Sequence, residues 1–181
     1  FARVDDRDAL GNGCRSQTIP RRRIFDKDDV DITPTPNPPG LGGEPGATQS
    51  ALIMPVQGDE TLFYIFTTQE IHGTGTYELR YSLFDLKLNS GQGGLAEYNQ
   101  LLFARSTERI TGNTNWLIAH EYGNNSFRAY QIGPQGIGNP VISSLGSDHL
   151  LTVAAQGQGY MELSAQNVLG VALSTPGVSN A

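Results

Sequence analysis

The decisive stretch is Trp116-Leu117-Ile118-Ala119-His120, then Gly123-Asn124-Asn125, then Ser126-Phe127-Arg128-Ala129-Tyr130-Gln131-Ile132. Two runs rich in aromatic and branched residues flank a Gly/Asn turn, the signal of an antiparallel hairpin. The same texture recurs outward. Upstream, Ala51-Leu52-Ile53-Met54-Pro55-Val56 leads through Gly58-Asp59 into Leu62-Phe63-Tyr64-Ile65-Phe66-Thr67-Thr68, a run enriched in residues that suit a pleated surface. Tyr77–Leu86 alternates in part, and Leu101–Ala104 follows the glycines Gly91, Gly93 and Gly94. Downstream, Val141-Ile142, Leu150–Ala154, Tyr160–Leu163 and Val168–Leu173 continue the pattern. No segment carries an apolar 3.6-residue period of helical length, so the chain is predicted to be all-β.

Composition agrees. With 22 Gly, 10 Pro and 17% charged residues in 181, short strands joined by turns fit better than helices. The 38% hydrophobic content supports a core for one domain or two small ones. No apolar run approaches the length of a membrane-spanning helix. A net charge of −6 argues against a nucleic-acid surface. Cys14 is the single cysteine, which excludes an internal disulfide or a multi-cysteine zinc site. An exposed thiol, an intermolecular bridge and simple burial all stay open for it. Phe1 in place of Met predicts a processed or fragmentary chain, and Ser179-Asn180-Ala181 directly after an apolar run predicts truncation at the other end too.

Residues 1–47 differ from the rest. Acidic Asp5, Asp6 and Asp8 precede the basic cluster Arg21-Arg22-Arg23, and Pro34, Pro36, Pro38 and Pro39 exclude a central strand or a helix. The expectation is an irregular N-terminal segment with an incomplete first blade, including a surface loop over about 32–47. Residues 48–181 then carry about two and a half repeats. Phe63 and Trp116 stand about 53 residues apart, and Tyr81 and Phe127 about 46, within the blade range of β-propellers. Such units bury both faces only by stacking, which predicts β-propeller-like antiparallel blades, a partial propeller. A β-sandwich with similar hairpins is the rival. Three units are too few to close a ring, so the isolated chain is expected to self-associate or to fold poorly.

An ordered series of segments resembles a family of large secreted Bacteroidetes proteins, the gliding-motility-associated, type IX secretion substrate kind. Thr48-Gln49-Ser50-Ala51-Leu52-Ile53-Met54-Pro55 resembles its STQSALIVP segment, and Leu62–Thr67 its YYIFT strand. Leu79–Asp85 resembles LRYSVVD, Thr107–Thr111 resembles TEKLTA, and Asn125–Tyr130 resembles NTFYAY. Ile24-Phe25-Asp26-Lys27-Asp28, Asn115–Glu121, Gly146-Ser147-Asp148-His149 and Gly159–Ser164 follow in the same order, so the likeness covers about residues 24–173. Departures fall at both ends: the GNLLFYTDG strand has no counterpart in residues 1–23, and Ser164-Ala165-Gln166-Asn167 replaces the SPDG turn. The resemblance implies a propeller-like repeat, a secreted or cell-surface address and a larger parent polypeptide, and it brings no catalytic site.

Candidate chemistry is sparse. His120-Glu121 opens an H-E-x-x-H pattern, but Asn124 stands where the second His belongs and the segment reads as a strand. His72 and His149 sit in loops without a carboxylate at a recognisable spacing. Asp26, Asp28 and Asp31 are the candidate calcium ligands, although Val30 breaks the EF-hand template and a solvated acidic loop is the plainer reading. No G-x-S-x-G elbow or phosphate loop occurs. A glycosidase pair among Glu70, Glu78, Glu97, Glu108, Glu121 and Glu162 cannot be read from spacing. Tyr64, Tyr81, Trp116, Phe127 and Tyr130 read as packing between blades; Tyr77, Tyr98 and Tyr122, at strand edges or loops, are the ligand-contact candidates. The predicted function is an extracellular or cell-surface binding or structural module, adhesin-like, with no catalytic residues and no cofactor beyond calcium. Its partners would be the remaining blades of the parent polypeptide or neighbouring chains, and an extracellular glycan or protein. The alternatives are a carbohydrate-active enzyme on a propeller scaffold and a subunit of a surface filament.

Overall fold

The computed structural model describes residues 3–5, 23–34, 41–72, 75–150 and 154–172. Within them strand follows strand: β1 (Arg3–Asp5), β2 (Arg23–Phe25), β3 (Ala51–Val56), β4 (Asp59–Thr68), β5 (Leu79–Asp85), β6 (Gly94–Phe103), β7 (Ser106–Gly112), β8 (Trp116–Glu121), β9 (Ser126–Gly133), β10 (Gly136–Ile137), β11 (Val141–Ser144), β12 (Met161–Leu163) and β13 (Leu169–Val171). A short turn at Leu88–Gly91 and a 3₁₀ turn at Ala154–Gln156 are the helical pieces among the described residues. Every strand pairing among them is antiparallel, so the chain is all-β. Cys14, Arg21, Arg22, residues 35–40 of the proline-rich loop and the 151–153 part of the Leu150–Ala154 run lie outside the described residues.

Four strands in chain order, β3-β4-β5-β6, make one meander sheet. The next sheet runs β7-β8-β9 and continues from β9 to β10 and β11. Two-stranded sheets flank these, β1-β2 on the N-terminal side and β12-β13 on the C-terminal side. The decisive hairpin forms with Trp116 opposite Gln131 and His120 opposite Phe127, and Gly123 in its turn has a φ of 106° that favours glycine.

Alternation along the strands sorts the core into two clusters. On one face of the first sheet, Met54, Tyr64, Phe66, Leu79 and Phe103 meet Ile110, Leu117, Ala119, Tyr130 and Ile132 of the second. On its other face, Ile65 and Phe84 pack with Ile24 of β2 and Leu41, joined by Ile32, Phe63, Leu95 and Tyr98. The residues described in the 32–47 loop therefore include buried anchors, Leu41 and Ala47. At the outer strand β11 of the second sheet all four residues are exposed. Trp116, Ile118 and His120 alternate onto the opposite side, level with Phe127, Ala129, Val141 and Ser143 through the strand registers.

Candidate functional site

β7 is buried along Ser106–Thr111 although five of these six residues are polar. A polar side chain withdrawn from water must find partners inside, and each does. Glu108 accepts hydrogen bonds from the Thr48 backbone N–H at 2.7 Å, the Thr48 hydroxyl at 2.9 Å and the Ile71 N–H at 2.8 Å. Its own N–H donates to the Gly157 carbonyl at 2.9 Å. Arg109 turns its guanidinium toward the C-terminal segment. Nε donates to the Ala172 carbonyl at 3.0 Å, Nη1 to the Gln156 carbonyl at 2.9 Å, and Nη2 to the Gln158 carbonyl. Nη1 also donates to His149 Nδ1 at 3.1 Å.

That last bond fixes the chemistry of His149: a ring nitrogen that accepts from a guanidinium carries no proton. The ring stacks on His120 at 3.6 Å between centroids. His120 Nδ1 lies 2.5 Å from the Glu121 carbonyl and so holds the proton, and Phe127 meets the His120 ring edge-on at 4.4 Å. His120 Nε2 is buried without a partner. Burial pulls the His120 pKa down to about 4, with Arg109 adding to it. Burial, then His120 and Arg109, pull His149 to about 3. Arg109 itself falls to about 10 through burial, opposed by Glu108. At neutral pH the cluster is one cation held by carbonyls beside two neutral imidazoles.

A second junction lies beside it. The Thr48 hydroxyl accepts from the Gly159 N–H at 3.0 Å and shares its one proton between Glu108 and the Gly159 carbonyl, which lies 2.7 Å away. The Gln49 amide repeats the reciprocal pattern with the Met161 backbone, at 3.0 and 2.8 Å. The residues entering β3 are thereby tied to those entering β12.

Beyond these junctions the outward side of the second sheet opens into a groove of about 460 Å³ lined by Trp116, Ile118, Ala129, Val141 and Leu163, with Asn113, Asn115 and Asn167. None of these is a carboxylate. Val141 is 58% exposed at its rim.

The residues singled out by sequence are dispersed. Asp26 Oδ1 accepts from the Asp28 and Val30 N–H groups, Asp28 pairs with Lys27, and Asp31 pairs with Arg23 and accepts from the Thr33 N–H. Among the described residues no group of three or more His, Cys, Asp or Glu side chains is placed to hold a metal. Tyr122 is 2% exposed and meets Tyr77 edge-on at 5.3 Å, while Tyr98 packs into the Ile65 and Phe84 cluster. Glu121 faces Arg128 and Asn124, which hold its pKa low against the opposing effect of burial. Thr48, Gln49 and Arg109 were not singled out by sequence, because nothing local distinguishes a polar residue in a buried strand or junction from one on a loop. No family model, curated protein or solved structure matches the chain.

Proposed function

We propose that this chain is a binding and structural module of the extracellular space or cell surface, made of successive antiparallel units that fan about one axis in the manner of a partial β-propeller. The observation that carries the reading is the Thr48–Gln49 junction with Gly159–Met161. Sheets packed flat and face to face lie about 10 Å apart, so two sheets with a third between them would be separated by about 20 Å. Here the unit that begins with β3 and the unit that begins with β12 touch across β7 through direct hydrogen bonds. Fanning of the sheets accounts for that, with β3, β7 and β12 at the narrow edge.

The buried ionic groups support a structural rather than a catalytic role. Glu108 is held by two amides and the Thr48 hydroxyl, and Arg109 by three carbonyls and an imidazole, so both side chains tie distant segments together. The resemblance over about residues 24–173 supports the extracellular setting. Two measurements test the two parts. Electron density of the protein should place β3, β7 and β12 side by side around one axis; two opposed sheets closed as a sandwich would overturn the architecture. Antibody raised against the chain should label intact cells of the source organism; labelling only after permeabilisation would overturn the location.

A further inference from the structure

The chain holds two full meander sheets and two half sheets. The halves are not alike. Among the described residues β12-β13 packs on the second sheet at its first strand, where the Leu163 N–H donates to the Thr111 hydroxyl at 3.1 Å. It leaves the outer strands open over Trp116, Ile118, Ala129 and Val141. β1-β2 and the loop after it cover the first sheet over its later strands, through Ile24 and Leu41 on Ile65, Phe84, Leu95 and Tyr98. One end thus presents the inner half of a sheet and the other end an outer half.

The hydrogen-bond parity shows which edge is free. The Ala172 N–H donates to the Tyr160 carbonyl and the Ser164 N–H to the Val168 carbonyl. Paired groups alternate along an antiparallel ladder, so Gly170 faces β12 while the amides of Leu169 and Val171 face away from it. Among the described residues no strand meets that outer edge of β13. Among the described residues β2 is flanked by β1 and by the Phe25–Asp31 bridge and no strand meets the outer edge of β1, which makes that edge the counterpart.

We infer that β1-β2 of a second copy of this chain pairs with the free edge of β13, completes a four-stranded sheet, and covers the Trp116 groove. The inference rests on the fanned arrangement proposed above. The contact continues the existing β7–β12 interface outward, and each side supplies what the other lacks: two inner strands and an open apolar face against two outer strands. Such a contact is heterologous, so it repeats head to tail until it closes. Two copies would hold about six sheets, inside the range of about four to eight found in closed propellers.

The test is sedimentation of the full 181-residue chain with three variants. The wild type should form dimers or longer head-to-tail species at micromolar concentration. Val141→Glu places a charge on the exposed groove rim, and Val171→Pro removes an outward amide while sparing the bonds to β12. Each should weaken association about tenfold or more, with an unchanged circular dichroism spectrum. In a Cys14→Ser background, Arg3→Cys on one copy and Gly170→Cys on another, two positions whose amides both turn away from the new edge, should form a mixed disulfide. A chain that stays monomeric at about 100 μM would overturn the inference, whether its own residues 173–181 or an added glycan, read by Trp116 emission, fills the groove. Association that neither substitution weakens would overturn it as well. A monomer in which β3, β7 and β12 still share an axis sinks this inference alone, whereas a sandwich sinks the reading beneath it.

Discussion

Glu108 and Arg109 are neighbours on one strand, yet their side-chain hydrogen bonds run to different parts of the molecule, Glu108 to Thr48 and Ile71, Arg109 to residues 149–172. A buried cation without a paired carboxylate is tolerable only when carbonyl dipoles and a neutral imidazole surround it. The two histidines must therefore stay unprotonated, and that makes folding sensitive to pH. In the unfolded chain both titrate near 6.5; in the folded chain they do so at about 4 and about 3. Between those values the unfolded state binds protons that the native state refuses, so stability rises with pH. Denaturant titrations should find maximal stability above pH 6.5. Below it the stability should fall by as much as about 1.4 kcal/mol per pH unit for each histidine, levelling as the folded-state pKa values are passed. His120→Phe keeps the stack and removes one proton site, so its slope between pH 6 and pH 4 should be about half that of the wild type. An equal slope would show that the loss comes from other groups.

At the scale of single elements, strands with apolar alternation were legible and strands with polar burial were not. β4, β5, β8 and β9 follow the runs that sequence marks, because their side chains sort cleanly between the two core clusters. β7 carries no strand pattern in its sequence. Ser106, Thr107, Glu108 and Arg109 look like a loop until the partners are known, and those partners lie far off in sequence, at 48, 71 and 149–172. β6 shows a strand pattern only at its end, since Gly94–Gln100 carries polar residues on a half-exposed edge. The glycines before it have separate reasons. Gly93 has a φ of 95°, and a Cβ there would collide with Cζ of Phe84, itself 1% exposed. Gly75 has a φ of 80° but open space around it. Gly75→Ala should therefore cost about 1 kcal/mol from backbone strain alone. Gly93→Ala should cost about 3 kcal/mol, strain plus overpacking. Calorimetric melting of both variants checks the difference; equal losses would mean that Phe84 yields to the added methyl.

For the whole molecule, the units form a series in which each rests on its neighbours, and β7 is where the series is fastened. Arg109 supplies the fastening on the C-terminal side, through carbonyls of residues 156, 158 and 172. Arg109→Met keeps much of the volume but removes the charge and every donor. The three carbonyls and His149 would then lose their partner, a penalty of about 3–5 kcal/mol for breaking a buried polar network from one side. The loss should not spread evenly. The Met54, Phe66, Leu117 and Ile132 core lies on the other face of the second sheet and contains none of these groups. Thr48 and Gln49 still hold Gly159 and Met161, so the segment should loosen rather than detach. Hydrogen exchange read by mass spectrometry should accordingly rise over 154–172 and around His149, while β3–β5 and β8–β9 keep their protection. A uniform rise across all strands would mean that the chain unfolds as one block, and that Arg109 stabilises the whole core rather than the attachment of its last unit.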